Sequence, residues 1–272
     1  MNPNTRTLRP QAAALAFLTP RRRAVVRDDA AEACKSMVET PQGRVAVGLW
    51  SPHSDAEQAP LALLVHGWEG AASDLAAFVE PLRLSGYRVV APDLPAHGDS
   101  EGERSSIAQA AEALLAVARR FGAPQALVAH SVGCAVAVVA QHRGLAAAGL
   151  ALLATPARYA DYAQAFGQAC GLDHQGRLEM LDALRQLGVD VAGIDSPALV
   201  SGFDIPGLIV HSQDDPVVPI ANGRAVAQAW PGCEFVAVDG LGHYRLLRDA
   251  GIVSRVVSFV AGLKPSRVSP RP

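Results

Sequence analysis

Short apolar runs alternate with longer amphipathic segments over most of the 272-residue chain. Continuous apolar runs of this length are typical of strands buried on both faces of a sheet, whereas long Ala- and Leu-rich segments are typical of helices. The pattern predicts strands at residues 62–65, 88–91, 126–129, 150–153, 207–211 and 234–238, and helices at about 75–85, 107–121, 132–141, 222–230 and 252–263. Strands and helices that alternate over short connections indicate an α/β fold with a mostly parallel, doubly wound sheet.

Two regions depart from this alternation. Residues 35–39 and 45–50 alternate in polarity around the turn sequence PQG, which predicts a β-hairpin at the start of the sheet. Between about residues 156 and 204, helix-like stretches at 159–169 and 177–187 follow one another with no strand between them. A helical insertion between two blocks of such a sheet is typical of a short cap or lid.

The predicted domain organisation follows from these patterns. Residues 1–32 form an N-terminal segment, whose apolar stretch at 12–18 we expect to be a short helix packed on the body. Residues 33–264 form one α/β domain with the cap inserted at about 156–204, and residues 265–272 form a flexible tail. The apolar stretch is too short, and lacks the cleavage site, for a secretory signal.

Composition and charge exclude several function classes. Half of the residues are hydrophobic, 18% are charged and the formal net charge is −2, so neither nucleic acid nor an anionic membrane is an expected partner. No window approaches the roughly 18 apolar residues of a membrane span, so we expect no integral membrane association. The four cysteines lack metal-ligand spacing, which predicts no metal and no cofactor and is compatible with a cytoplasmic location. The sequence carries no signal for an oligomeric state.

A serine lies where one predicted strand turns directly into a helix, in the segment AHSVG at residues 129–133. This is the G-x-S-x-G nucleophile elbow with alanine at its first position. The turn exposes the Ser131 oxygen and places the Val132 N–H at a helix N-terminus, where a developing negative charge is stabilised. Considered alone, Ser131 has an alternative interpretation as an ordinary helix N-cap.

A base and an acid follow two later strands. His243 ends the loop DGLGH after the strand at 234–238, and Asp214 and Asp215 follow the strand at 207–211. The carboxyl ends of parallel strands meet at one edge of the sheet, where ligands bind in such folds. Spacing alone leaves Asp214 and Asp215 as alternatives for the acid. The chain order Ser, Asp, His differs from that of chymotrypsin-like and subtilisin-like enzymes.

The segment HGWEG at residues 66–70 follows the strand at 62–65 and supplies a second oxyanion donor. A His-Gly turn there would aim the Trp68 backbone N–H at the oxyanion, opposite the Val132 N–H. We expect His66, Gly67, Trp68 and His130 to border the substrate. In the predicted cap, the helical spacing of Tyr159, Tyr162 and Phe166 indicates either an apolar substrate pocket or packing of the cap onto the body.

Taken together, five segments resemble the α/β-hydrolase superfamily over about residues 35–263. They are His66-Gly67, DLPAHGDS at 93–100, the Ser131 elbow, DPVVP at 215–219 and Gly242-His243. The resemblance implies a sheet of about eight strands, Asp215 rather than Asp214 as the acid, and a structural rather than catalytic His97. The layout is similar to esterase, lipase and serine-aminopeptidase members with a short cap, whose substrates include esters, thioesters, lactones, amides and peptides.

The predicted function is hydrolysis of a carboxylic ester with a small or medium apolar acyl group, through an acyl-enzyme on Ser131, His243 and Asp215. The expected partner is therefore a small-molecule acyl substrate. Aminopeptidase, lactonase, thioesterase and perhydrolase activities on the same triad are the alternatives. A catalytically silent binding protein on this fold is a further alternative from another class.

Overall fold

A single eight-stranded sheet forms the centre of the structure, a computed structural model that describes residues 8–22, 33–53 and 59–264. The strands are β1 (Cys34–Thr40), β2 (Gly43–Trp50), β3 (Leu61–Val65), β4 (Arg88–Pro92), β5 (Ala126–His130), β6 (Gly149–Leu153), β7 (Gly207–Ser212) and β8 (Cys233–Val238). All residues of β3, β5, β6 and β7 are buried, as expected for strands covered on both faces.

The strand order is β1-β2-β4-β3-β5-β6-β7-β8. The hairpin partners β1 and β2 are antiparallel, and β2 is antiparallel to β4, whereas the strands from β4 to β8 pair in parallel. The predicted mostly parallel α/β sheet is therefore confirmed, and the hairpin makes it a mixed sheet. β3 has β4 on one side and β5 on the other, and such a reversal of strand order opens a crevice at the carboxyl ends of the strands.

Helices cover both faces of the sheet. They are α1 (Pro10–Phe17), α2 (Ala76–Leu84), α3 (Ile107–Phe121), α4 (Val132–His142), α5 (Tyr159–Ala169), α6 (His174–Gln186), α7 (Ser196–Val200), α8 (Ile220–Ala229) and α9 (Ala250–Ala261). No helix in the described part of the chain has both the length and the apolar character to cross a membrane.

Two apolar cores lie on opposite sides of the sheet because successive side chains of a strand point to opposite faces. In β3, Leu61, Leu63 and Val65 belong to the core that includes α3 and α4, whereas Ala62 and Leu64 belong to the core that includes α2 and α9. The sheet is thus doubly wound, as the alternation of elements predicted.

Three helices, α5, α6 and α7, occupy the interval between β6 and β7, and α1 packs against α5 and α6. The Phe17 ring of α1 lies 5.2 Å from the Tyr159 ring and 5.3 Å from the Phe166 ring. We interpret the three helices as the cap, and the proposed N-terminal segment is in direct contact with it. The proposed flexible tail at 265–272 lies outside the described residues.

Candidate active site

Ser131 lies at the sharp turn between β5 and α4, with backbone angles φ 53° and ψ −127°. A positive φ is unfavourable for a residue that carries a side chain and persists only where the surroundings impose it. Two backbone hydrogen bonds hold Ser131 in this conformation. Ser131 N donates to Leu153 O over 2.9 Å, and Cys134 N donates to Ser131 O over 2.9 Å. The elbow is therefore tied to the neighbouring strand β6.

Small residues allow the turns after β3 and β5 to approach each other. A Cβ atom on Gly133 would lie 2.4 Å from the His66 carbonyl oxygen and 2.6 Å from the Val65 carbonyl oxygen. Both distances are steric clashes, so any larger residue at this position would displace the backbone. A Cβ atom on Gly67 would lie 3.0 Å from the Ser131 Cβ. The turn that carries Trp68 thus passes directly beside Ser131.

Asp215 and His243 form a buried acid–base pair. The His243 Nδ1 donates to Asp215 Oδ2 over 2.8 Å, while Asp215 Oδ1 accepts from Val217 N at 2.8 Å and Val218 N at 2.9 Å. Burial alone would raise the pKa of Asp215, but hydrogen bonds from His211, His243 and the two backbone N–H groups outweigh it and hold the pKa below its usual range. Because Nδ1 carries the proton donated to Asp215, the Nε2 atom of a neutral His243 is the ring nitrogen that can accept a proton.

Asp214 makes different contacts. Its side chain is exposed and accepts hydrogen bonds from the Ser212 hydroxyl and from Gly242 N, the latter at 3.1 Å. Asp214 therefore ties the end of β7 to the loop that carries His243, whereas Asp215 contacts the imidazole itself. Of the two alternatives left open by spacing, the geometry favours Asp215 as the orienting acid.

His130 links the elbow to the same loop. Its Nε2 lies 3.0 Å from the backbone oxygen of His243, and the two rings are 4.7 Å apart. A carbonyl oxygen only accepts, so the proton of His130 is on Nε2. Burial is the main cause that lowers the pKa of His130 to about 3, and the ring is neutral near pH 7. The contact brings the neighbour of Ser131 against the His243 backbone.

His66 holds the turn after β3. Its Nδ1 donates to Gly67 O over 2.7 Å, and its Nε2 accepts from Leu94 N over 2.9 Å. Burial lowers the pKa of His66 to about 4, so it stays neutral. Because both ring nitrogens are bonded to the backbone, we revise the expectation that His66 contacts substrate and assign it to shaping the turn.

The two expected oxyanion donors belong to the two turns that meet at Ser131, the elbow itself and the turn after β3. Val132 is the first residue of α4, so its N–H has no acceptor within the helix. Trp68 follows Gly67, and its half-buried ring packs edge-on against His97 at 5.0 Å. His97 is buried and donates from Nδ1 to Pro95 O over 2.9 Å, a contact that fits the structural role expected for it.

An apolar cavity adjoins Val132 beneath the cap. Its lining residues are Ile107, Val132, Ala135, Pro156, Ala157, Tyr159 and Tyr162. The cavity is narrow, with a volume of about 10 Å³, which is room for about one water molecule. Tyr159 and Tyr162 thus line a pocket as one interpretation expected. Phe166 does not line this cavity, and its contact with Phe17 matches the alternative, packing of the cap.

A family profile described as the alpha/beta hydrolase family matches residues 62–255. The chain belongs to the alpha/beta hydrolase family. The match runs from β3 to the first half of α9 and so includes every strand end that carries a residue of the candidate site.

The individual proteins that resemble this alpha/beta hydrolase do so either over a short segment or at low sequence identity. A non-heme chloroperoxidase of Kitasatospora aureofaciens is 52% identical over 42 residues, which is 15% of this chain and 15% of that protein. Among solved structures, the Pyrococcus furiosus esterase Pf2001 is 18% identical with a TM-score of 0.69, covering 90% of this chain and 99% of its own. Est1E of Butyrivibrio proteoclasticus with bound ferulic acid is 20% identical with a TM-score of 0.67, covering 83% and 96%. These structural likenesses establish the fold.

Proposed function

We propose that this alpha/beta hydrolase is a serine hydrolase that cleaves carboxylic esters with a small or medium apolar acyl group. The observation that carries the proposal is the buried pair of Asp215 and His243, 2.8 Å apart, at the sheet edge that also holds the strained Ser131 turn. A nucleophile, a base in reach of it and an acid that orients the base are the three parts that acyl transfer requires.

In the first half-reaction, the Ser131 oxygen attacks the ester carbonyl while His243 Nε2 takes its proton. The bond between the carbonyl carbon and the alkoxy oxygen breaks, and the alcohol leaves with the proton from His243. Asp215 keeps the imidazole in one tautomer and stabilises the transient imidazolium. The Trp68 and Val132 N–H groups donate to the oxyanion, each contributing on the order of 3 kcal/mol to transition-state stabilisation.

In the second half-reaction, water replaces the alcohol. His243 takes a proton from the water as its oxygen attacks the acyl-enzyme, and the acid is released when Ser131 regains its proton. The ester and one water molecule balance the two half-reactions, with Ser131 and His243 returned to their starting states.

The cavity beside Val132 supports the acyl preference. Alkyl and aromatic groups border it, so an apolar acyl group packed against them would gain free energy, at about 25 cal/mol per Å² of buried apolar surface. At about 10 Å³ the cavity would have to widen to admit an acyl group, which favours short chains over long ones. The P. furiosus esterase shares the fold, and the name of that protein is consistent with ester hydrolysis here.

The aminopeptidase alternative has less support. A free-amine substrate favours an acidic pocket, and Glu69 is the carboxylate beside the oxyanion turn. Its Oε1 accepts a hydrogen bond from Arg21 N over 3.1 Å, so it is already engaged by the N-terminal segment. Perhydrolysis is the second candidate, since 42 residues of the chain are 52% identical to a non-heme chloroperoxidase. Peroxide would then replace water in the second half-reaction.

The test is an assay of 4-nitrophenyl esters from acetate to decanoate with wild type, Ser131→Ala and the control Ser254→Ala, an exposed serine on α9. We expect Ser131→Ala to lose about 10³-fold or more in kcat/KM, Ser254→Ala to match wild type, and activity to fall beyond medium chain lengths. Folded protein that hydrolyses none of the esters, or a fully active Ser131→Ala, would refute the proposal. Perhydrolysis, the second candidate, is tested by measuring the peracid that the enzyme forms from acetate and hydrogen peroxide.

A further inference from the structure

A short stretch of chain that follows α1, residues 18–22 and called here the N-terminal arm, lies along the loop between β4 and α3. At the start of the arm, Ser105 N donates to the backbone oxygen of the first arm residue over 2.8 Å. At its end, the Arg22 guanidinium donates to Gly98 O over 3.0 Å and to Gly102 O over 2.6 Å. Three hydrogen bonds therefore attach the arm to this loop.

The same arm is attached to the turn after β3 through Glu69. The Glu69 Oε1 accepts a hydrogen bond from Arg21 N over 3.1 Å. Glu69 follows Trp68 in a tight turn that Gly70 N closes by donating to Gly67 O over 3.1 Å, and its φ is 56°. A positive φ is unfavourable for a residue with a side chain and persists only where the surroundings impose it. The bond to the arm is one such restraint on the turn.

The two attachments converge on the packed rings of Trp68 and His97, which lie edge-on at 5.0 Å. Glu69 is the neighbour of Trp68 in the chain, and Gly98 is the neighbour of His97. The arm thus holds both sides of this contact at once. Under the proposed function the Trp68 N–H donates to the oxyanion, and a misplacement of about 1 Å in such a site can cost on the order of 10²-fold in rate.

We propose that Glu69 and Arg22 are positioning residues, which hold the Trp68 N–H where it can donate to the oxyanion by fixing its turn to the N-terminal arm. The inference rests on the proposed function of Ser131. It gives a part in the reaction to an arm that lies outside residues 62–255, the segment matched by the family profile.

The charge of Glu69 and its hydrogen bond predict opposite effects on the rate. A carboxylate near a developing oxyanion disfavours that charge, so loss of the negative charge alone would raise kcat. Loss of the bond to the Arg21 N–H would lower kcat. Glu69→Gln removes the charge and keeps an acceptor oxygen, whereas Glu69→Ala removes both. We therefore expect Glu69→Gln to keep the wild-type kcat or exceed it, and Glu69→Ala to lower it about 10-fold.

The test measures kcat and KM for 4-nitrophenyl butanoate and the inhibition constant Ki of butylboronic acid. A boronic acid forms a tetrahedral adduct with a nucleophilic serine, and one of its oxygens takes the place of the oxyanion, so Ki reports on the oxyanion site without turnover. We expect Glu69→Ala and Arg22→Ala each to lower kcat about 10-fold and to raise Ki by a similar factor, with KM changed less than about twofold.

Arg143→Ala is the matched control for Arg22→Ala. Arg143 is also an exposed arginine that bonds a backbone oxygen, that of Ala108 at 3.3 Å, but it lies at the opposite end of α4 from Ser131. We expect its kcat and Ki to equal those of wild type. A merely structural role of the arm would lower the Tm of Glu69→Ala and Arg22→Ala and leave both constants unchanged in assays run well below that temperature.

Three outcomes would overturn the inference. They are wild-type values of kcat and Ki in either Glu69→Ala or Arg22→Ala, a raised KM with unchanged kcat in both, or a loss of kcat in Glu69→Gln equal to that in Glu69→Ala. Ser131→Ala separates these from failure of the proposed function. If Ser131→Ala is inactive and one of the three outcomes is found, the inference alone fails; if Ser131→Ala hydrolyses the ester like wild type, both fail.

Discussion

His130 donates a hydrogen bond from Nε2 to the backbone oxygen of His243 over 3.0 Å, and the two rings lie 4.7 Å apart. The residue directly before the proposed nucleophile thus restrains the loop that carries the proposed base. Because the loop at His243 also contains two glycines with positive φ, Gly240 and Gly242, its backbone needs such an anchor. His130 is a positioning residue in this account.

His130→Phe tests that role, because phenylalanine keeps an aromatic ring against His243 but cannot donate to its carbonyl. We expect kcat to fall about 10-fold with KM nearly unchanged, since a misplaced base affects the transition state more than substrate binding. The pH dependence of kcat should also shift, which loss of stability alone would not cause. A wild-type kcat and pH profile in His130→Phe would contradict the assignment.

Asp215→Asn and Asp214→Asn form a matched pair, since both remove one negative charge from adjacent positions. Only Asp215 contacts the imidazole, so we expect Asp215→Asn to lower kcat about 10⁴-fold, the size of the corresponding effect in the serine-protease triad. Asp214→Asn should keep most of the activity and lose some stability, because the Asp214 side chain bonds the Ser212 hydroxyl and the Gly242 backbone rather than the imidazole. Equal losses of kcat in the two variants would show that the acid is wrongly assigned.

Acid should destabilise the fold through its buried histidines. Burial lowers the pKa of His66 and His97 to about 4 and that of His130 to about 3, whereas an unfolded histidine titrates near about 6.5. Below that pH the unfolded chain binds protons that the folded chain does not, so the free energy of unfolding falls as pH decreases toward about 4.

The size of this effect can be measured by urea unfolding at pH 7 and pH 5. Each histidine should contribute about 2 kcal/mol of the decrease, since one pKa unit corresponds to about 1.4 kcal/mol. Asp215 does not offset it, because its lowered pKa gives stability that is fully present above about pH 4 and is lost only in stronger acid. Equal stability at pH 5 and pH 7 would be inconsistent with three neutral buried histidines.

The contact between α1 and the cap should contribute to stability. Phe17 is buried against Tyr159 and Phe166, whereas Leu15 on the same helix is 41% exposed. We expect Phe17→Ala to lower the free energy of unfolding by about 3 kcal/mol and Leu15→Ala to change it by less than about 1 kcal/mol. Urea unfolding of both variants checks this, and a similar small effect for both would mean that α1 is only loosely attached.

Strands buried in the sheet were predictable because their apolar runs are uninterrupted. The run at 126–129 became β5 (Ala126–His130), and that at 88–91 became β4 (Arg88–Pro92). The same runs located the loops after β3, β5, β7 and β8, where the candidate site residues lie. Local chemistry adjusted some ends: α6 begins at His174 rather than near 177, because the Asp173 side chain caps it by accepting from Gly176 N.

Contacts between distant parts of the chain were not predictable. The bond between His130 and His243 joins residues 113 positions apart, and no local pattern marks it. The packing of α1 on α5 and α6 likewise arises from tertiary structure. Helical spacing placed Tyr162 and Phe166 on one apolar stripe, yet one lines the cavity and the other packs on Phe17.

Labelling of the folded protein by a fluorophosphonate tests the central claim most directly, since this reagent reacts with a serine activated by a neighbouring base. Intact-mass and peptide analysis at pH 7 should find one adduct, on Ser131, in wild type and Ser254→Ala, and none in Ser131→Ala or in urea-unfolded wild type. An unlabelled Ser131 in protein shown to be folded, or equal labelling of Ser131→Ala, would contradict the assignment of Ser131 as the nucleophile.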